Sequence, residues 1–325
     1  MIKYSSINIR TLSLLGERGA FGKLMSDLAL TEPGLIVGTA DQATGAALNG
    51  FKEKFPDKFI NFGISEQNAL GVCSGLANEG FTVFLAFQSV FTCSRCLDQV
   101  RVNMGYMNLP VKLVGIFSGL TQSDCGPTHY ALNDFAIFRS IPNIVILSPS
   151  DALQTAKCIE SASAVKKPVY IRLTGKVNTP MIYKEDFNYE IGKSIKLKEG
   201  KDICIISTGS MVYTSLNVAR KIEESLNLSV TVIDMHTIKP LDEDAVKSLT
   251  GYKLVVSVEE HSIFGGLGSS IAEIFVQNSI SIPLKIIGAE DRFHKAGEYE
   301  DVLQSYGLDE DSVYQKIENT LKIME

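Results

Sequence analysis

Short apolar runs alternate along this chain with longer segments in which small and apolar residues recur at helical spacing. Within the runs, apolar residues fill successive positions rather than alternate ones, which is typical of parallel strands covered on both faces. Helices that cross over between parallel strands account for the longer segments. The sequence therefore predicts an α/β fold built on parallel sheets.

The first part of the chain contains six candidate strands, separated in part by helical segments. The strand candidates are GLIVGTA, KFINFG, TVFLAF, VKLVGIF, NIVILSPS and PVYIRL. Residues 65–78, 93–104 and 150–164 have helical periodicity, and Ser65 and Ser150 are the candidate helix caps.

Apolar periodicity stops between Gly175 and Gly200, and a second α/β series follows with the runs DICIISTGS, SVTVIDMHTI, YKLVVSVEE and LKIIGAED. A chain of 325 residues is long enough for two domains with separate cores. We therefore predict a first domain over residues 1–178, a linker over 179–200 and a smaller, four-stranded domain over 201–325.

Composition excludes several classes of partner. The net charge is −6, without a basic tract, so the chain has no electrostatic footprint for nucleic acid or an anionic membrane. Its apolar runs are shorter than the roughly 20 residues that span a bilayer, and the N-terminus does not resemble a signal peptide. We expect a cytoplasmic protein whose six cysteines, including the Cys93–Cys96 pair, are reduced and structural.

Polar side chains that follow the strand candidates are the candidates for chemistry, because ligands of parallel α/β sheets bind beyond the carboxyl ends of the strands. Asp41, Glu66 and His129 stand at three such places. Each also has a structural explanation. The dipole of a helix stabilises a carboxylate in its first turn by about 0.3–1 kcal/mol, which alone would explain Glu66. Asp41 fits a turn, and His129 fits either proton transfer or packing against the sheet.

The glycine-rich run GGLGS, which begins at Gly265, has two possible roles. It could bind phosphate, but it lacks the lysine and the spacing of a P-loop. Close packing of the following helix is the expected role.

Taken together, the strand-end segments resemble the C-terminal section of a transketolase-type thiamine diphosphate enzyme made as a separate subunit. The segments that carry the resemblance span nearly the whole chain: GTADQATG, FINFGISEQNALGVCSGLANEGF, SRCLDQVR, CGPTHYALNDFAIFRSIPNIVILSPSD, TGSMV, IDMHTIKPLDEDAV, VVSVEEHSIFGGLGSSIAE and DRFHKAG. The resemblance implies a pyrimidine-binding domain with the thiamine diphosphate fold, followed by a smaller transketolase C-terminal domain.

Roles for five residues are implied by this resemblance. Glu66 occupies the position of the glutamate that bonds to a ring nitrogen of the aminopyrimidine and favours its imino tautomer. Phe87 or Phe91 would stack on the pyrimidine, and Asp41 matches an aspartate near the cofactor. His129 matches a histidine that contacts oxygen atoms of the donor substrate.

Three positions depart from the family pattern. Cys125 stands in place of an aspartate, and Phe117 in place of a histidine. Gly175 stands where an arginine often binds the sugar phosphate, although Arg172 and Lys176 lie near it in sequence. An unusual or unphosphorylated substrate is therefore expected.

The family's diphosphate and Mg²⁺ are held by a different domain, through a G-D-G motif that this chain lacks. The resemblance thus implies an N-terminal transketolase-type partner subunit, a heterotetramer with two chains of each kind, and no metal ligand in this chain. Transfer of a two-carbon ketol unit from a ketose donor to an aldehyde acceptor is the leading hypothesis. The alternatives are the beta subunit of a 2-oxo acid dehydrogenase's decarboxylating component, a deoxyxylulose phosphate synthase-like enzyme, and a non-catalytic assembly subunit.

Overall fold

The computed structural model of this chain describes residues 4–175 and 180–324, without the side chains of residues 6 and 7. Its strands are β1 Leu35–Thr39, β2 Phe59–Asn61, β3 Thr82–Gln88, β4 Lys112–Ile116, β5 Val145–Leu147, β6 Val169–Arg172, β7 Ile195–Lys198, β8 Ile203–Ser207, β9 Val230–Asp234, β10 Thr237–Lys239, β11 Leu254–Ser262 and β12 Leu284–Ala289.

The helices lie between these strands. They are α1 Ser6–Leu28, α2 Asn49–Lys54, α3 Glu66–Asn78, α4 Ser89–Cys93, α5 Leu97–Gln99, α6 Asp134–Arg139, α7 Ala152–Ala164, α8 Met211–Leu226, α9 Glu243–Lys247, α10 Leu267–Gln277, α11 Tyr299–Ser305 and α12 Glu310–Met324. Short 3₁₀ turns occur at Pro56–Lys58 and Ser123–Cys125, and a π-helical segment spans Val100–Tyr106. No helix in the described ranges has the length and apolarity needed to cross a bilayer.

Two sheets form the frame, and the predicted parallel α/β fold is confirmed. The first has the order β10-β5-β6-β4-β3-β1-β2, in which β1 to β6 are parallel and β10 is antiparallel to β5. The second has the order β12-β11-β8-β9-β7, in which only the edge strand β7 is antiparallel. All six strands predicted for the first domain are present.

The second half differs from the sequence prediction in two places. The run SVTVIDMHTI forms two strands, of which β9 stays in the second sheet and β10 extends the first. Strand β7 lies within residues 179–200, which we predicted to be a linker, and gives the second sheet five strands rather than four. An apolar run predicts a strand, but it does not specify the sheet that the strand joins.

One helix prediction also needs correction. Residues 93–104 do not form one helix, because α4 ends at Cys93 and the chain continues through α5 into the π-helical segment. The apolar spacing does not reveal this change, because the apolar residues of the segment are buried even though they do not lie on one helix. They are Cys93, Cys96, Val100 and Met104.

Neither predicted serine cap is used. Asp151 caps α7 by accepting from Gln154 N at 2.8 Å, while the Ser150 hydroxyl donates to Asp234. Ser65 precedes α3, but its hydroxyl donates to the carbonyl oxygen of Phe62 at 2.7 Å.

A buried ion pair within the first domain contacts the second domain through a hydrogen bond from its arginine to the backbone. Arg172 Nε, at the end of β6, donates to Asp134 Oδ2 at 2.8 Å, and neither side chain is exposed by more than 2%. Tyr170 donates to the same carboxylate oxygen. Arg172 Nη2 donates to the carbonyl oxygens of Ala131 and of Glu260, the latter in β11 of the second sheet. One guanidinium group therefore links β6, α6 and β11.

We expect Asp134→Ala to lower the free energy of unfolding by about 3–5 kcal/mol, because it leaves the buried Arg172 charge without its counter-ion. Urea unfolding of the variant and the wild type measures the change. The matched control is Glu243→Ala, which breaks an exposed 2.7 Å pair with Lys247 and should change stability by about 0.5 kcal/mol or less. A loss below about 1 kcal/mol for Asp134→Ala would show that the buried pair does not contribute to stability as expected.

A second buried acid lies on α1, beneath the carboxyl end of β6. Glu17 is 1% exposed, and its Oε2 accepts from Thr174 N at 2.7 Å. Burial raises the pKa of the Glu17 carboxyl from 4.5 to about 7, against the hydrogen bonding of Thr174, and the nearby Asp151 and Glu260 raise the pKa further. Glu17 therefore stays protonated in the folded chain at pH values where it ionises in the unfolded chain.

The substitution Glu17→Gln keeps a side-chain oxygen that can accept the hydrogen bond from Thr174 N, but the side chain no longer ionises. Because the pKa in the folded chain is raised, the stability of the wild type falls as the pH rises from about 4.5 to about 7 and then levels off. We expect the stability of the variant relative to the wild type to increase over that window. Urea unfolding at a series of pH values tests this, with the exposed Glu185→Gln as the control. A difference that does not vary with pH would contradict it.

Candidate active site

Glu66 is the first residue of α3, directly after the loop that leaves β2. The residue is 6% exposed, and no side-chain cap competes for the helix terminus. Gly63, with φ of 68°, and the Ser65 hydroxyl bond to Phe62 shape the loop before it. The acid therefore lies at the carboxyl end of the first sheet, as the sequence predicts, in a largely dry position.

Glu66 is connected by successive contacts to three side chains that follow two further strands. Arg95 Nη1 is 3.7 Å from Glu66 Oε2, and the Arg95 guanidinium carbon lies 4.8 Å from the centre of the Phe91 ring. The His129 ring meets the edge of Phe91 at a centroid distance of 5.7 Å. The structure thus links Glu66 to His129 in a row of contacts that runs through Arg95 and Phe91. The sequence prediction missed Arg95, which lies in the turn between α4 and α5 and is not set apart by any catalytic motif.

The two phenylalanine candidates differ in accessibility. Phe87, in β3, is 1% exposed and belongs to the core cluster between the sheet and its covering helices. Phe91, in α4, is half-buried and packs against that cluster from outside. Only Phe91 of the two presents ring surface to a ligand.

Asp41 reaches the loop before Glu66 through Asn61, the last residue of β2. Asn61 Oδ1 accepts from the backbone N–H groups of Asp41 and Gly63, at 3.0 and 3.1 Å, and Asn61 Nδ2 donates to Asp41 Oδ1 at 3.3 Å. Asp41 itself is exposed and has φ of 57°, a conformation that aspartate tolerates better than most residues. Asn61 was not among the sequence candidates, although a polar residue ending an apolar strand was a usable signal.

His129 sits on a loop that the second domain supports. The His129 N–H donates to the Gly126 carbonyl oxygen at 2.9 Å, across a turn in which Gly126 has φ of 73°. Tyr130 OH donates to the Lys295 carbonyl oxygen, and Gly297 N donates to that of Ser123. The His129 ring is half-buried, with Nδ1 2.9 Å from the Thr128 hydroxyl oxygen. The histidine is held in place, and part of its ring stays accessible.

The three departures from the family pattern have structural consequences. Cys125 is exposed on the loop that carries His129. Phe117, with the strained φ of 55°, lies against Gly175, where an added Cβ would be 2.7 Å from Phe117 Cδ1. Arg18 covers the Phe117 ring at 4.3 Å and donates to the carbonyl oxygens of Gly45 and Gly175.

Of the two basic residues near Gly175 in sequence, the structure describes only Arg172, and this residue does not replace the missing arginine. Arg172 is committed to its buried pair with Asp134, and Lys176 lies outside the described residues.

The GGLGS segment is closed to phosphate, and the packing role expected for it holds. Glu259 accepts from Leu267 N and Gly268 N at 2.7 and 2.8 Å, so a buried carboxylate already occupies the N-terminus of α10. Burial raises the pKa of Glu259 to about 7. A Cβ on Gly265 would lie 2.5 Å from that of Ala136. This close approach requires glycine.

No cluster of three or more histidine, cysteine or acidic residues that could hold a metal ion occurs in the described part of the chain. The six cysteines are free, and all except Cys125 are buried. Burial raises the pKa of Cys96 to about 12 and also raises that of Cys93. The two thiols of the Cys93–Cys96 pair are therefore poor nucleophiles.

Comparison with known proteins gives two family matches. Residues 16–179 match the family model described as "Transketolase, pyrimidine binding domain", and residues 192–313 match "Transketolase, C-terminal domain". A Methanocaldococcus jannaschii protein named "Putative transketolase C-terminal section" is 35% identical over 94% of this chain and 96% of its own length. A subunit of the apulose-4-phosphate transketolase of Phocaeicola vulgatus is 33% identical over 93% of this chain and 96% of its own length.

A solved structure is also similar in both sequence and fold. It is a split-gene transketolase in an inactive beta4 tetramer, 32% identical, with a TM-score of 0.84 over 94% of this chain and 98% of its own. The two domain matches span most of the chain in the predicted order, and relatives of similar length are separate sections or subunits. This chain belongs to the transketolase family and corresponds to its C-terminal section.

Proposed function

We propose that this chain is the beta-type subunit of a two-component, thiamine diphosphate-dependent transketolase that transfers a two-carbon ketol unit between sugars or sugar-like substrates. The observation that carries the proposal is a nearly buried acid, Glu66, beside the accessible ring of Phe91 and the anchored His129. The names of its relatives, which include a transketolase subunit, support the reaction class.

The residues present fit the pyrimidine half of the cofactor. Phe91 offers a flat apolar surface, and Glu66 offers a carboxylate beside it with few competing donors. When bound, thiamine diphosphate supplies a carbon nucleophile and an electron sink for breaking a bond next to a carbonyl group.

In this proposal each residue has one task. Glu66 holds a proton at a ring nitrogen of the aminopyrimidine, and Phe91 orients the ring by stacking. His129 donates a hydrogen bond to a substrate oxygen, and Asp41 with Asn61 keeps the loop before Glu66 in register.

A second subunit completes the site. We propose that an N-terminal transketolase-type chain holds the diphosphate and Mg²⁺, because an anionic diphosphate needs a cationic clamp. The relatives named as a C-terminal section and as one subunit of a transketolase support this division. So does the relative that forms an inactive beta4 tetramer. We propose a heterotetramer with two copies of each chain, and a cytoplasmic location, which the free cysteines support.

We propose that the part of the site that binds the far end of the substrate differs from that of enzymes with a phosphate-binding arginine at the position of Gly175. Phe117, covered by Arg18, fills the space beside Gly175, so a phosphate-binding side chain has no room there. We therefore propose a donor or acceptor whose far end is recognised by other groups or is unphosphorylated.

The Glu66→Ala substitution should lower kcat by about 10²-fold or more in the complex with the partner chain, thiamine diphosphate and Mg²⁺, because proton transfer at the ring is lost. Initial rates with ketose donors and aldehyde acceptors measure this. Glu79→Ala, an exposed acid at the other end of α3, is the control and should retain wild-type kcat. Unchanged kcat for Glu66→Ala, or full activity of this chain alone, would refute the proposal. Turnover of pyruvate but not of ketoses would favour the decarboxylase or synthase alternatives.

Phe91→Ala and Phe87→Ala should have opposite effects on binding and stability. Loss of the accessible Phe91 ring should weaken thiamine diphosphate binding about tenfold, with little change in unfolding free energy. Loss of the buried Phe87 should lower the unfolding free energy by about 3–5 kcal/mol. Calorimetric titration of the assembled complex and urea unfolding of this chain make the two measurements. If Phe91→Ala bound the cofactor with wild-type affinity, Phe91 would not be the residue that stacks on the pyrimidine.

A further inference from the structure

Arg95 covers the ligand-accessible side of Phe91. The Phe91 ring packs against the core cluster with one side, and the Arg95 guanidinium lies over the ring at 4.8 Å. Arg95 is 50% exposed, which places it on the solvent side. The same guanidinium group approaches Glu66 Oε2 at 3.7 Å. One planar, cationic group therefore contacts both side chains assigned to the aminopyrimidine.

A guanidinium group and an aminopyrimidine share the features that these two side chains recognise. Both are flat, both stack on an aromatic ring, and both direct N–H groups toward a carboxylate in the plane. The Arg95 group thus already lies against Phe91 and faces Glu66, although at 3.7 Å it does not hydrogen-bond to the carboxylate.

We infer that Arg95 occupies, in the free chain, the position over Phe91 that the aminopyrimidine takes in the assembled enzyme, and that cofactor binding displaces it. This inference rests on the proposed function, because it assumes that Phe91 and Glu66 bind the ring. It assigns to Arg95 the role of a competitor that keeps the acid paired and the aromatic surface covered until the cofactor arrives.

Arg95 is held weakly enough to leave. Its 3.7 Å approach to Glu66 is longer than a hydrogen bond, and its guanidinium makes no hydrogen bond to any residue in the described ranges. By contrast, Arg139 donates to two carbonyl oxygens and to Glu273. Displacement of Arg95 therefore breaks one long ion pair and one cation–π contact, both made by a half-exposed side chain.

The strength of those two contacts sets the size of the effect. A cation–π contact and a long ion pair made by a half-exposed arginine each contribute modestly, so together they should weaken cofactor binding by about fivefold. Removal of the Arg95 side chain should therefore strengthen cofactor binding by the same factor.

The test is calorimetric titration of thiamine diphosphate, with Mg²⁺ present, into the complex of this chain with its partner subunit. The chain has no tryptophan, so heat is a more direct signal than its own fluorescence. We expect Arg95→Ala to lower the Kd about fivefold relative to the wild type. The matched control is Arg220→Ala, which removes an exposed arginine on α8 that bonds only to Asn217 within the described residues. Its Kd should equal that of the wild type.

A second measurement distinguishes occupation of the ring position from a general change in charge. Free guanidinium, at a concentration that leaves the fold intact, should fill the space left in Arg95→Ala and raise its Kd toward the wild-type value. The same concentration of sodium chloride should not. Arg95→Lys, which keeps the charge but loses the flat group, should bind more tightly than the wild type.

The outcomes separate the two proposals. If the wild-type complex takes up no thiamine diphosphate, the proposed function fails and this inference fails with it. If the wild type binds the cofactor but Arg95→Ala binds with equal or weaker affinity, the function stands and the inference is wrong. Weaker binding would mean that Arg95 remains beside Glu66 in the bound state and positions it.

Discussion

The ion pair between Asp134 and Arg172 is the contact on which the rest of this structure depends. Burying both charges costs desolvation, and the cost is offset because the Arg172 guanidinium also donates to two buried carbonyl oxygens. Its acceptors belong to α6, to the chain just before it and to β11. The Arg172 guanidinium therefore acts across the boundary between the two domains, where an ordinary apolar contact would leave their orientation less defined.

The active-site loop inherits its position from this arrangement. His129 lies between β4 and α6, and the carbonyl oxygen of Ala131, two residues further on, accepts from Arg172. Glu260, whose carbonyl oxygen is a partner of Arg172, uses its carboxylate to accept from Leu120 N near the start of the same loop. One end of the loop is thus bonded directly to β11, and the other is connected to it through Arg172. The position of His129, which contacts substrate in the proposed reaction, therefore depends on β11, a strand of the second sheet.

The sequence predicts what depends on local pattern and fails where distant partners decide. The strands of the first sheet and the strand-end positions of Glu66 and His129 follow from apolar runs and from the polar residues after them. The sheet to which β10 belongs cannot be predicted from local pattern, because its pairing partner β5 lies about 90 residues earlier. Ser150 is a good cap in isolation, but Asp234 from the second sheet takes its hydroxyl and leaves the cap to Asp151.

The two arginines of the site illustrate the same limit. In the sequence Arg172 stands close to a phosphate-binding position, yet the structure buries it beside Asp134. Arg95 has no distinguishing neighbour in sequence, and its importance follows only from its contacts with Phe91 and with Glu66, which lies on α3.

The interlock of Phe117 with Gly175 also limits how this site can change over time. A side chain introduced at position 175 collides with a ring that Arg18 holds from the other side, and Arg18 is itself tied to the Gly175 backbone. A smaller residue at position 117 alone would leave a space with nothing to fill it. Each single step away from the present pair is therefore unfavourable, so a chain with this pair reaches a different substrate preference by paired replacements. We therefore expect positions 117 and 175 to change together, although they follow different strands and lie far apart in sequence.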